Sequence, residues 1–231
     1  MFGSIEPTEY DLRFELLGVP VRVSPWFWAM AAILGFESVK IGVGYLIAWM
    51  SVVFVSIMVH EFGHALVAMR FGYPPRVLLY QFGGLAFFEP RRGDFTRFKS
   101  ITISLAGPFA GFALFGLTLA FGRFFYYPFA HNLSEESARL IDFTIMQMLF
   151  VNLWWGLLNL LPVLPLDGGR VSQEVCLWIS PLRGIQIAAT IGAIVAGTVA
   201  LGFFTIKDYY PAILFGMLCA QNFTLLQDRR W

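Results

Sequence analysis

His60-Glu61-Phe62-Gly63-His64 is a run whose residue types and spacing could do chemistry. On a helix, positions i and i+4 share a face, so both imidazoles can grip one metal ion. The glutamate between them can polarise a water held at that ion. The chain has 3 histidines, and two of them sit in this run. The setting sharpens the point: residues 41–69 are otherwise almost uncharged, and His, Glu and His in an apolar span are costly unless a partner or a function holds them there.

Two histidines leave a zinc site one protein ligand short, because a catalytic site uses three ligands and keeps one position open for water. Acidic residues in the apolar runs are rare, and Asp167 stands out. It lies in Asn159-Leu160-Leu161-Pro162-Val163-Leu164-Pro165-Leu166-Asp167-Gly168-Gly169-Arg170. Pro162 and Pro165 break a helix ahead of a polar loop. Gly168 and Gly169 let the backbone turn and approach something closely. Non-helical backbone at membrane depth is tolerated only where it lines a cavity or is buried in protein. The plainer role for Asp167 is to cap a helix over 168–179, which does not exclude ligation. Glu174 is a weaker alternative ligand, and Asp142 lies at the wrong end of its helix.

The elements that must position these residues follow from composition. The 231 residues are 58% hydrophobic, 17% aromatic and 13% charged, where an average soluble domain has roughly 45–50% apolar and about 25% charged residues. That balance excludes a disordered chain, a nucleic-acid binder and an ordinary cytosolic enzyme, and implies an all-α polytopic membrane protein. Cys176 and Cys219 sit in apolar context and suggest neither a disulfide framework nor a cysteine metal site. Apolar runs over about 23–36, 41–69, 101–121, 141–161, 185–204 and 210–226 predict about six transmembrane helices, with five plus a half-span as the alternative. The side then holding both termini, 70–100 and 162–184 carries twelve Lys and Arg against four on the other, which makes it cytoplasmic. Phe14 to Val23 reads as a short strand pair turning at Gly18. With no repeat or linker, 1–231 is expected to be a single domain: a cytoplasmic N-terminal segment (1–22), a transmembrane core (23–226) and a cytoplasmic tail (227–231).

Together these residues resemble the site-2 protease family of intramembrane zinc metalloproteases. His60 to Ala68 looks like the family's first metal-ligand helix, and Asn159 to Arg170 like its N-x-x-P-x-x-x-L-D-G element. Phe82-Gly83-Gly84 is similar to the Gly-Gly loop of the branch without a PDZ insertion, and no CBS module is expected either. The resemblance implies that His60, His64 and Asp167 ligate one zinc ion per chain, and that Glu61 is the catalytic base. It further implies that Asn159 steadies the substrate backbone or oxyanion and that Gly83, Gly84 and Asn152 contact substrate. An interhelical hydrogen bond is the competing role for Asn152. Gly111 stands where many relatives have asparagine.

The implied reaction is hydrolysis of a peptide bond in or near a transmembrane segment of a membrane-anchored protein, with zinc activating water and Glu61 as general base. A substrate helix must unwind to expose its peptide bond, and the unwound stretch needs replacement hydrogen bonds. The apolar, Gly-interrupted stretch Leu78 to Phe88 is expected to form a membrane-dipping hairpin or loop that clamps the substrate as a strand. Expected partners are the membrane-anchored substrate and the lipid bilayer, with room for a regulatory membrane protein or a second copy, and no nucleic acid. The expected location is a prokaryotic inner membrane, with the active site facing the cytoplasm. A non-catalytic membrane binding protein on the same fold is the main alternative. A metal transporter ranks lower because the outer halves of the spans are apolar.

Overall fold

Leu12–Leu16 (β1) and Val19–Val23 (β2) form the antiparallel pair expected around Gly18, which turns with φ +77° behind Leu17 at +52°. Left-handed backbone at both turn residues matches the twist of a two-residue hairpin. The structure, a computed structural model, describes residues 7–90 and 93–227. Most of the expected tail at 227–231, residues 1–6 of the N-terminal segment, and Arg91 and Arg92 of the charge count lie outside the described residues.

The stretch Leu78 to Phe88, expected as a hairpin or loop, belongs to a hairpin of Pro75–Tyr80 (β3) and Gly83–Phe88 (β4), turning at Gln81-Phe82. It does not stand apart from the first. β2 pairs in parallel with β3, Val21 opposite Val77, so all four strands make one sheet in the order β1-β2-β3-β4. The all-α expectation is thereby corrected: the protein is mostly helical with one small mixed sheet. A parallel pairing between strands more than fifty residues apart leaves no local trace in composition.

The chain forms two compact units, Met1–Arg91 with Phe109–Gly156 and Arg92–Pro108 with Leu157–Trp231. In the first, Pro25–Leu34 (α1) and Val43–Arg70 (α2) pack on the sheet through Val19, Val21, Val23, Phe27, Ala31, Ile57, Phe62, Ala65, Val77 and Leu79. Pro25 opens α1 at a position where its missing N–H costs nothing, and Ser24 caps it by accepting from the Trp26 amide. The Ser24 amide donates to the Leu79 carbonyl of β3, while the Trp49 indole, near the start of α2, donates to the Ala31 carbonyl. Arg97–Phe121 (α3) and Glu135–Asn159 (α4) contribute residues to both units. The second unit contains Asp167–Ile179 (α5), Gly184–Thr205 (α6) and Tyr209–Gln227 (α7), with a core of Val163, Ala196, Phe215 and Leu218.

Among the described residues four helices are long and apolar enough to cross a membrane: α2, α3 with its continuation to Tyr126, α4 and α6. Leu117, Phe121, Ile194 and Leu201 stand exposed on them, an arrangement suited to lipid rather than water. The protein is an integral membrane protein. Two expected crossings fall outside this set. The run at 23–36 forms the ten-residue α1, about 15 Å long against a hydrocarbon core of about 30 Å. The run at 210–226 forms α7, whose apolar length is interrupted by Gln221 and Asn222.

Candidate metal centre

α2 is a 28-residue helix, and its buried residues recur every three or four positions through Val53, Ser56, Ile57, His60, Glu61, His64, Ala65 and Ala68. That stripe carries the motif into the interior. His60, Glu61 and His64 are 3%, 5% and 7% exposed, so the three chemical residues of the run are enclosed together. The two Nε2 atoms stand 3.2 Å apart. Nitrogen ligands at 2.0–2.1 Å around a tetrahedral zinc lie about 3.3 Å from one another, so the imidazole pair has the spacing such an ion needs.

Glu61 is bounded on one side by β4. A Cβ on Gly84 would fall 2.3 Å from Glu61 Cγ and 2.6 Å from its Oε1, so only glycine lets this strand lie against the carboxylate. Gly84 pairs across the hairpin with Leu79, and the next pair is Gly83 with Tyr80. Burial raises the Tyr80 phenol above its ordinary pKa, and the Glu61 carboxylate adds to the effect. Gly83 lies under the Trp155 ring.

Asn152, on α4, is 2% exposed. Its Nδ2 donates to Ser56 Oγ at 2.9 Å and to the Met148 carbonyl at 2.8 Å. The first bond joins α4 to α2 one turn before His60, and both amide hydrogens are engaged. Asn152 retains Oδ1, which faces Gly111 across 3.8 Å measured to a Cβ built there. Asn159 is the last residue of α4 and is half-buried.

Asp167 is the first residue of α5; the N-cap position is Leu166, with no side-chain cap. The carboxylate therefore sits in the first turn rather than at the capping position. Residues 160–166 wrap tightly over this helix start. Side chains at Gly168 and Gly169 would strike the backbones of Leu160 and Val163 at 2.0 and 2.4 Å.

Among the described residues, His60, His64 and Asp167 form a group that could hold a metal ion, each offering one ligand atom, all within 4.8 Å of one another. Two imidazoles and one carboxylate are a donor set suited to zinc. Glu174 is not part of it. Ser56, Tyr80 and Asn222 were not singled out from sequence. Ser56 and Asn222 had a usable signal, being polar in apolar spans; Tyr80 in a strand had none.

Comparison with known proteins gives a consistent result. Residues 127–199 match peptidase family M50. The chain is 28% identical over 194 residues to a zinc metalloprotease of Methanocaldococcus jannaschii, covering 79% of this chain and 51% of that protein. It is 28% identical over 152 residues to stage IV sporulation protein FB of Bacillus subtilis, covering 65% of this chain and 46% of that protein. The chain thus spans about half the length of the curated relatives it matches. The solved structure of the site-2 protease from Methanocaldococcus jannaschii superposes with a TM-score of 0.63 at 22% identity, over 94% of this chain and 95% of that one, a likeness of fold.

Proposed function

We propose, on the premise that the chain belongs to peptidase family M50, the site-2 proteases, that it is an intramembrane zinc endopeptidase. It cuts a membrane-anchored protein in or next to a membrane-spanning segment. The observation that carries this reading is the buried pair of imidazoles on α2, 3.2 Å apart, with Glu61 between them in the chain. His60, His64 and Asp167 would hold the zinc. When bound, zinc supplies Lewis acidity toward the scissile carbonyl and brings the pKa of water down toward neutrality.

The protein's own residues do the rest. Glu61 takes the proton of the attacking water and delivers it to the leaving nitrogen. Its burial beside Gly84 keeps it aimed and away from bulk water. Asn159 donates to the developing oxyanion. β4 is an edge strand of the sheet, so an unwound substrate can add alongside it and regain backbone hydrogen bonds. Gly83 and Gly84 are the part of that edge nearest the base, and Asn152 has its Oδ1 to offer.

We further take the chain to make six crossings within a single membrane domain. Ser24 is tied to Leu79 of β3, whose partner Gly84 lies against Glu61, whereas Ala31 is tied to Trp49 near the start of α2. Residues 24–31 thus run beside part of α2 and would open the first crossing, and α7, packed on α6, would be the last. Arg13, Arg22, Arg70 and Arg76 gather at the sheet end of α2, which by the positive-inside rule faces the cytoplasm of a prokaryotic inner membrane.

The test is a cleavage assay in reconstituted membranes with a membrane-anchored substrate. Glu61→Gln is expected to lower turnover by at least about 100-fold, the scale of a lost general base, while retaining zinc. Undiminished cleavage would remove Glu61 from the reaction.

A further inference from the structure

We propose that Asn222 of α7 is a positioning residue for Asp167, acting through the loop that delivers this ligand. Asn222 is fully buried. Its Oδ1 accepts from the Leu164 amide at 3.2 Å, and its Nδ2 donates to the Leu164 carbonyl at 2.6 Å. The second amide hydrogen goes to the Leu218 carbonyl at 2.8 Å, one turn back on the same helix. One side chain thus satisfies both backbone groups of one residue, and its own helix holds it in place.

The clamp falls where the backbone needs it. Between the end of α4 and the start of α5 the chain contains Pro162 and Pro165 and has no helical ladder, so its buried N–H and C=O groups require other partners. From Leu164 the chain is nearly committed. Leu166 donates to the Val163 carbonyl, Arg170 donates to the Leu166 carbonyl, and Asp167 opens α5 between them. Fixing residue 164 fixes where the carboxylate begins.

α6 makes room for this contact. A Cβ at Gly192 would lie 2.3 Å from Asn222 Oδ1 and 3.3 Å from the Pro162 carbonyl. Glycine there lets α6, α7 and the loop converge on one point. An amide three residues from a metal ligand can act on the metal in the way that outer-shell partners tune ligand orientation.

This inference rests on the zinc reading above, and its test separates the two. Zinc dissociation constants are measured by chelator competition on the purified full chain in detergent, together with thermal unfolding of the metal-stripped protein. Asn222→Ala is expected to weaken zinc binding roughly 10- to 100-fold, the usual cost of an outer-shell partner. Gly192→Ala, which presses on the clamp without removing it, shifts the constant in the same direction and serves if Asn222→Ala does not fold. A lower unfolding temperature with an unaltered zinc constant would make Asn222 a packing residue and overturn the proposal. His60→Ala is the reference: wild type binding zinc no more tightly than His60→Ala defeats the metal reading itself. Tight wild-type binding shared by the folded variants defeats only the role of Asn222.

Discussion

A methyl group at position 84 would overlap Glu61 Cγ at 2.3 Å, and relief requires either the strand or the carboxylate to move. Neither moves freely, since Glu61 is enclosed on α2 and Gly84 is held in register opposite Leu79. Gly84→Ala is therefore expected to displace Glu61, the proposed base, while leaving the two imidazoles on their own face of the helix. Misplacement of a reacting group by about 1 Å costs on the order of 100-fold in rate. Turnover should fall on that scale, with zinc content equal to wild type. Full activity in Gly84→Ala would mean that β4 does not constrain Glu61. Ser56 and Asn152 act differently at this scale, since their bond links α2 to α4.

At the scale of elements, the N-terminal hairpin has its own lock. Asp11 is nearly enclosed and accepts from the Thr8 amide and hydroxyl and from Arg22. Burial pushes its carboxyl pKa up, but the Thr8 bonds and the Arg22 and Arg13 charges overcome this and hold it below the ordinary value. A depressed carboxylate stabilises the folded state fully above the unfolded pKa of about 3.9, and the contribution disappears as pH falls through the folded value. Thermal unfolding followed from about pH 6, above the unfolded pKa, down to about pH 2, below it, should show wild type losing more stability than Asp11→Asn. Parallel curves would show that the hairpin does not depend on this charge. Because β2 continues into the sheet beside β3, acid loosening of the hairpin is expected to spread toward β4.

At the scale of the whole molecule, a ligand set drawn from distant parts of the chain makes metal binding a folding contribution. A ligand that binds only the folded state stabilises it by RT ln(1 + [L]/Kd), about 2.7 kcal/mol at a hundredfold excess over Kd. Zinc should raise the unfolding temperature of the stripped wild type, and Asp167→Ala should lose most of that rise. An equal rise in the variant would remove Asp167 from the ligand set. The helices that carry the candidate ligands expose large apolar side chains to the surroundings, so the measurement belongs in detergent or lipid, where those faces are covered.

The membrane class, the His60-Glu61-His64 face and the suitability of Asp167 were all legible in the sequence. Each depends on neighbours within a few positions: helical periodicity, proline breaks, and charged groups in apolar surroundings. The strand pair at Gly18 was legible for the same reason, and the Gly-interrupted stretch Leu78 to Phe88 as a hairpin or loop. Their union into one sheet was not, nor was the contact of Gly84 with Glu61. The bonds of Asn152 to Ser56 and of Asn222 to Leu164 join residues 96 and 58 positions apart. Such pairings are decided by which buried polar groups find partners once the chain has packed, a condition imposed by the enclosed, water-poor interior rather than by any local stretch of residues.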